Sequence, residues 1–113
     1  RKVSVSSLHV HTVAIETIRL LRPLMPRLSR FDLALAKQIT RSASSIALNI
    51  AEGQLSQGGT RRQRYLSAAG SANETRSALL VAEAWGYLSG EQSAKALGQL
   101  DQIVAMLWKL THS

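Results

Sequence analysis

The stretch Gln38-Ile39-Thr40-Arg41-Ser42-Ala43-Ser44-Ser45-Ile46-Ala47-Leu48-Asn49-Ile50-Ala51-Glu52-Gly53 decides the fold. Ile39, Ala43, Ile46 and Ile50, continued backward to Leu35, recur at spacings of three and four residues and so share one face of an α-helix. A second set, Arg41, Ser45, Asn49 and Glu52, runs beside the first at helical spacing. The segment therefore carries an apolar stripe for a core and a polar stripe on its flank. The polar stripe has a cation at one end and a carboxylate at the other.

Outward from this segment the chain is punctuated by breakers. Pro23 and Pro26 close a segment before it, the Gly-containing loop at 54–59 follows it, and Ser89-Gly90 closes a third segment. Capping signatures sit beside these breakers: Ser29 with Asp32, Thr60 with Gln63, and Ser89 with Gln92. They predict helices over about 7–22, 30–52, 61–88 and 90–112. The first repeats apolar residues at Val10, Ala14, Ile18 and Leu21, and the last at Leu97, Leu100, Val104 and Leu107. Short connections make successive helices antiparallel neighbours. The expected architecture is all-α: an antiparallel up-and-down four-helix bundle, with residues 1–113 as a single domain. Partial alternation at Val3, Val5, Leu8 and Val10 allows a flexible, extended arm over residues 1–6.

The third segment has a polar stripe of its own, Arg64, Ser67, Ser71 and Glu74. Antiparallel packing brings Arg41 toward Glu74 and Glu52 toward Arg64, bracketing a ladder of Ser45, Asn49 and Ser71. Such pairs specify register more than they add stability. The same segment contains Ala68-Ala69-Gly70-Ser71-Ala72, with Gly86 further on. A mid-helix glycine costs about 1 kcal/mol relative to alanine. Close packing within the subunit offsets that cost, or a contact with another subunit does.

Composition removes several classes of function. With no cysteine among 113 residues there is no disulfide framework, no thiolate zinc site and no thiol nucleophile. No apolar run approaches the ~20 residues that span a bilayer, and Arg1-Lys2-Val3-Ser4 lacks a signal-peptide pattern. A cytoplasmic location is expected. Di-iron bundles need Glu-x-x-His motifs, which are absent here. His9 and His11 face different sides of a helix, and the glycines near Gly53–Gly59 lack the lysine of a phosphate-binding loop. The reading is a non-enzyme with no catalytic residue, no cofactor and no metal.

Charge is the outlier. Fourteen Lys and Arg stand against seven Asp and Glu, for a net charge of +7, and this balance favours polyanionic partners. The candidate nucleic-acid-binding residues form two clusters: Arg22, Arg27 and Arg30 around the first connection, and Arg61, Arg62 and Arg64 opening the third long helix. The second cluster opposes the helix dipole, at about 0.3–1 kcal/mol per cation. A sequence that accepts this cost uses the charge elsewhere, and Arg61 and Arg62 are the expected free contacts. Bundle topology sends the two clusters to opposite poles. Only Phe31 and Tyr65 adjoin them, so contact is expected through phosphates rather than base stacking, and Trp85, Tyr87 and Trp108 are read as core or interface residues.

The Gln38–Gly53 stretch, continued by Arg64-Tyr65-Leu66, Ala69-Gly70-Ser71 and Glu74, resembles the four-helix-bundle family that includes proteins encoded in intervening sequences of the large ribosomal RNA. The accessory variability determinant of diversity-generating retroelements is a relative in that family. The resemblance implies a homo-oligomer, a ring of five, without enzymatic activity. For the retroelement relative it also implies binding to nucleic acid and to a reverse transcriptase. Arg41, Asn49, Glu52, Gly53, Gly70, Ser71 and Glu74 carry over as motif positions. The chain departs from the pattern in the loop, where Ser56, Gly58 and Arg61 replace the usual arginine, serine cap and glutamate. The function expected is an oligomeric scaffold or accessory protein binding RNA or DNA without strong sequence preference. The competing expectation is a protein-interaction module for an acidic protein partner.

Overall fold

A few side-chain caps and proline positions set the helix limits. In the computed structural model, which describes residues 3–112, Ser4 accepts a hydrogen bond from the Ser7 N–H at 3.0 Å and opens α1 (Val5–Leu21). A 3-10 turn, Arg22–Leu24, leads into a short α2 (Met25–Phe31). Then come α3 (Leu33–Leu55), α4 (Gly58–Ala84) and α5 (Gly90–Thr111). Helix α1 thus claims part of the segment expected as an arm; residues 1 and 2 of that arm lie outside the described residues.

Several expected boundaries move, each for a local reason. Pro23 and Pro26 sit in the first turns of the 3-10 turn and α2, where a missing N–H costs nothing, so they permit a short helix instead of a loop. Ser29 lies inside α2, and the cap of α3 is Asp32, which accepts from the Leu35 N–H at 3.0 Å. Thr60 lies inside α4, which starts at Gly58 with no side-chain cap. The full capping box is that of Ser89 and Gln92. Helix α4 stops at Ala84, short of the expected 88, because Gly86 adopts φ +78°. The Gly86 N–H donates to the Glu83 carbonyl and the Tyr87 N–H to the Ala82 carbonyl, each at 2.9 Å. These are the paired bonds of a Schellman C-cap. Gly86 is therefore a terminating glycine rather than a mid-helix one.

Helices α1, α3, α4 and α5 form the antiparallel bundle; each packs on two neighbours, with α3 closest to α4. Fully buried Val10, Ile39, Ile46, Ile50, Leu79, Leu100, Ile103 and Leu107 fill the centre. Small residues bring α3 and α4 together: Ala68 and Ala72 are fully buried, and the Ser42 and Thr75 hydroxyls meet at 2.7 Å in the interior. Near the far end, α3 runs through Gly53 instead of stopping there. A Cβ on Gly53 would lie 2.5 Å from Tyr65 Cε1. The Tyr65 ring is buried and tethered, its hydroxyl 2.8 Å from Ser7 Oγ, so it has little room to withdraw. Gly70 differs: it is exposed, and a Cβ there meets nothing within 4 Å. Close packing inside the subunit is therefore not its reason.

These two glycines respond oppositely to the same substitution. Gly53→Ala is expected to destabilise by about 1–3 kcal/mol, because overpacking outweighs the gain in helix propensity. Gly70→Ala is expected to stabilise the isolated subunit by up to about 1 kcal/mol. Denaturant melts of both variants check this, and a Gly53→Ala protein as stable as the parent contradicts the close approach.

Candidate nucleic-acid interface

The polar stripes of α3 and α4 meet along one edge of the bundle. Arg41 Nη2 lies 3.0 Å from Glu74 Oε2, and Gln38 Nε2 donates to the same carboxylate oxygen at 3.3 Å. One turn on, Ser71 Oγ donates to Ser45 Oγ at 2.9 Å, and Asn49 Nδ2 donates to the Ser45 carbonyl and hydroxyl at 3.0 Å each. Arg64 Nη1 closes the seam on Glu52 Oε2 at 3.0 Å. These pairs lie at the surface, with Arg41 and Glu74 side chains 69% and 37% exposed, so each is worth about 0.2–1 kcal/mol. The carboxylates of the seam serve register. Glu83, which lies off the seam, accepts from Ser93 Oγ at 2.6 Å and ties the end of α4 to the start of α5.

The three arginines that open α4 have structural partners. Arg61 Nε donates to the Gly53 and Ser56 carbonyls at 3.1 and 2.9 Å, at the C-terminal end of α3. Arg62 Nε donates to the Thr111 carbonyl at 3.0 Å, on the last residue of α5. Arg64 is held by Glu52. The dipole anomaly of the sequence is resolved by these neighbours. Both helices antiparallel to α4 end here, and cations beside helix C-termini are favourable. Arg61 and Arg62 are consequently not the unencumbered side chains expected, although each guanidinium retains further N–H donors.

The opposite pole is built differently. The bundle measures 45 Å along its axis and about 20 Å across, so the two basic clusters cannot merge into one patch. Here the end of α1, all of α2, the start of α3 and the α4–α5 connection converge. Arg27 Nε donates to the Tyr87 carbonyl at 3.0 Å, and its guanidinium lies 5.3 Å from the centroid of the Phe31 ring. Phe31 stacks on Tyr87 with centroids 5.3 Å apart, and Trp85 stacks on Tyr87 at 6.4 Å. Phe31 and Trp85 are 53% and 69% exposed, so the reading of Trp85 as a core residue fails. Trp108 is exposed as well, stacked on His112 at the far pole. Arg22 and Arg30 are exposed, and their side chains make no ion pair or hydrogen bond among the described residues. The sequence places Phe31 far from Trp85, so only the fold brings the aromatic residues to the arginines.

Other chemistry has less to work with. Among the described residues no three His, Asp or Glu side chains gather where they would hold a metal ion. A largely apolar cleft of about 120 Å³ lies between α1, α3 and the turn after α1, lined by Ile18, Leu21, Met25, Ile39 and Ala43 with Arg22, Thr40 and Ser44 at it, and by no carboxylate or imidazole. No helix among the described residues is long and apolar enough to cross a membrane.

The fold and site together define a class: an all-α antiparallel four-helix bundle with arginines gathered at both poles. The family model of the 23S rRNA-intervening sequence protein matches residues 9–109, and the chain belongs to that family. It is also similar to the crystal structure of a protein with unknown function from the S23 ribosomal protein family of Bacteroides thetaiotaomicron. The TM-score is 0.84 at 25% identity, over 92% of this chain and 99% of that one. Among curated proteins none matches.

The arginine contacts set an expected order of stabilities. Arg61→Ala and Arg62→Ala should each cost about 0.5–1.5 kcal/mol, since each frees helix-terminal carbonyls. Glu52→Ala and Glu74→Ala should cost under about 1 kcal/mol. Glu16→Ala, an exposed change with no partner among the described residues, is the control. Chemical denaturation reads all five, and a stabilised Arg61→Ala protein means that the dipole of α4 outweighs the carbonyl contacts.

Proposed function

We propose that this protein is a non-catalytic, homo-oligomeric four-helix-bundle accessory protein that binds RNA or DNA through its basic surfaces. The observation that carries the reading is that the exposed side chains of Arg22, in the turn after α1, and of Arg30, on α2, have no partner among the described residues. Arginine pairs bidentately with phosphate, and unneutralised guanidinium groups on a rigid scaffold attract a polyanion without reading its sequence. Membership in a family described by 23S rRNA intervening sequences supports a nucleic-acid setting. A non-catalytic role is supported by four carboxylates already engaged in the fold: Glu52 and Glu74 sit in the seam, Asp32 caps α3, and Asp101 pairs with Arg76.

Self-association is supported by apolar side chains left on the outside of the closest helix pair. Leu33, Leu48 and Leu55 are exposed on α3, and Leu80 and Val81 on α4, and Gly70 of α4 leaves its backbone open. A cyclic assembly covers such surfaces by repeating one contact around a ring, and the family resemblance implies five copies. It would also repeat the arginine pole, so that weak phosphate contacts add through avidity.

Native mass measurement with and without nuclease, followed by retention of RNA at rising salt, tests both parts. The expected species is a closed assembly well above 12.3 kDa that retains unrelated RNA or DNA sequences about equally. Log K should fall linearly with log salt, and the slope should flatten in Arg22→Ala/Arg30→Ala. A monomer at micromolar concentration contradicts the assembly. Failure to retain nucleic acid even at low salt contradicts the binding and favours an acidic protein partner.

A further inference from the structure

We infer that exposed Trp85 is a stacking platform for an unpaired base of single-stranded nucleic acid, with Arg30 of the same pole taking a phosphate further along the strand. The inference rests on the nucleic-acid reading above and names its ligand. Four observations converge on it. The indole is 69% exposed at the end of α4, where the positive φ of Gly86 turns the chain and carries Tyr87 beside it. Tyr87 then stacks on both Trp85 and Phe31, making a continuous ladder of three rings. Arg27 fastens the ladder, its guanidinium over the Phe31 ring and its Nε donating to the Tyr87 carbonyl. Arg30 lies on α2 one turn after Arg27, and its exposed side chain has no partner among the described residues.

Each feature favours an unpaired base over other occupants. A duplex keeps its bases stacked on each other and offers this pole only phosphates. A single strand offers π-faces, and aromatic side chains stack on any base, which suits a site without sequence-reading donors. Rings already ordered by their neighbours lose little side-chain freedom when a base is added. Neighbouring carboxylates do not neutralise the arginines by contact: Asp32 is engaged with the Leu35 N–H and Glu83 with Ser93.

Trp85 reports on its own occupancy once Trp108 is replaced. In a Trp108→Phe protein, short oligouridylate and oligothymidylate are expected to quench the remaining indole saturably, and a duplex of equal length is not. Trp85→Leu should lower affinity for the single strands about tenfold, leave duplex affinity and its salt slope unchanged, and be rescued by Trp85→Tyr. Labelled single strands that bind without quenching, or with affinity indifferent to Trp85→Leu, overturn the platform while leaving nucleic-acid binding intact. Absence of binding to single strand and duplex alike at low salt overturns both. Emission that follows protein concentration instead of oligonucleotide assigns the ladder to a contact between copies and overturns the platform as well. Should Trp85→Leu fail to fold, the quenching of the parent and the Trp85→Tyr comparison decide the matter.

Discussion

Helices α3 and α4 can lie together in one register because Gly53 has no side chain where the Tyr65 ring must pass. Tyr65 is itself fixed, since its hydroxyl meets Ser7 of α1, and Gln54 donates to the Ser7 carbonyl at 3.1 Å. Three helices are thus locked at one point near the pole where α4 begins. A second lock, the buried Ser42–Thr75 hydroxyl pair, lies further along the same interface. Sliding α4 by one turn against two such points would separate the hydroxyls and drive the ring into the backbone. The seam of Arg41, Ser45 and Asn49 with Glu74 and Ser71 lies on the outer edge of this interface and follows from the same register.

Stability and specificity come from different parts of that arrangement. Each fully buried Leu or Ile contributes about 1.5–3 kcal/mol, whereas an exposed ion pair gives about 0.2–1. The core therefore holds the bundle, and the seam selects among its alternative packings. Register also determines the poles. Because α4 starts where α3 and α5 end, its first arginines meet carbonyl groups; because α4 ends beside α2, its last aromatic residues meet Phe31 and Arg27. One pole thus spends its arginines on helix ends, and the other leaves Arg22 and Arg30 without partners among the described residues.

What could be read in the sequence was what helical periodicity determines. The apolar stripe through Leu35, Ile39, Ala43, Ile46 and Ile50 is buried along its whole length, and the two polar stripes meet with Arg41 at Glu74 and Arg64 at Glu52. Both follow from residue spacing plus antiparallel packing. The partners of Arg61 and Arg62 did not follow, because the carbonyls belong to helices that end elsewhere in the chain; the unfavourable dipole placement was the one local sign. The aromatic ladder was equally hidden, since it joins α2 to the turn after α4. A signal did exist at Trp85-Gly86-Tyr87, where a glycine followed by an apolar residue marks a helix terminus. With Gly86 read as lying within the helix, Trp85 and Tyr87 stood only as core or interface residues, with no turn to bring them beside Phe31.

A bundle whose register leaves one pole with unengaged arginines and an open aromatic ladder should meet nucleic acid there. The most direct measurement is photo-cross-linking of the assembled protein to a short thiouridine-containing single strand, with the adducts mapped by peptide sequencing. Adducts concentrated on the segments around Phe31 and Trp85–Tyr87 are the predicted result. Adducts confined to the segments around Arg61–Arg64 and Trp108–His112 would place the interface at the other pole and contradict the account.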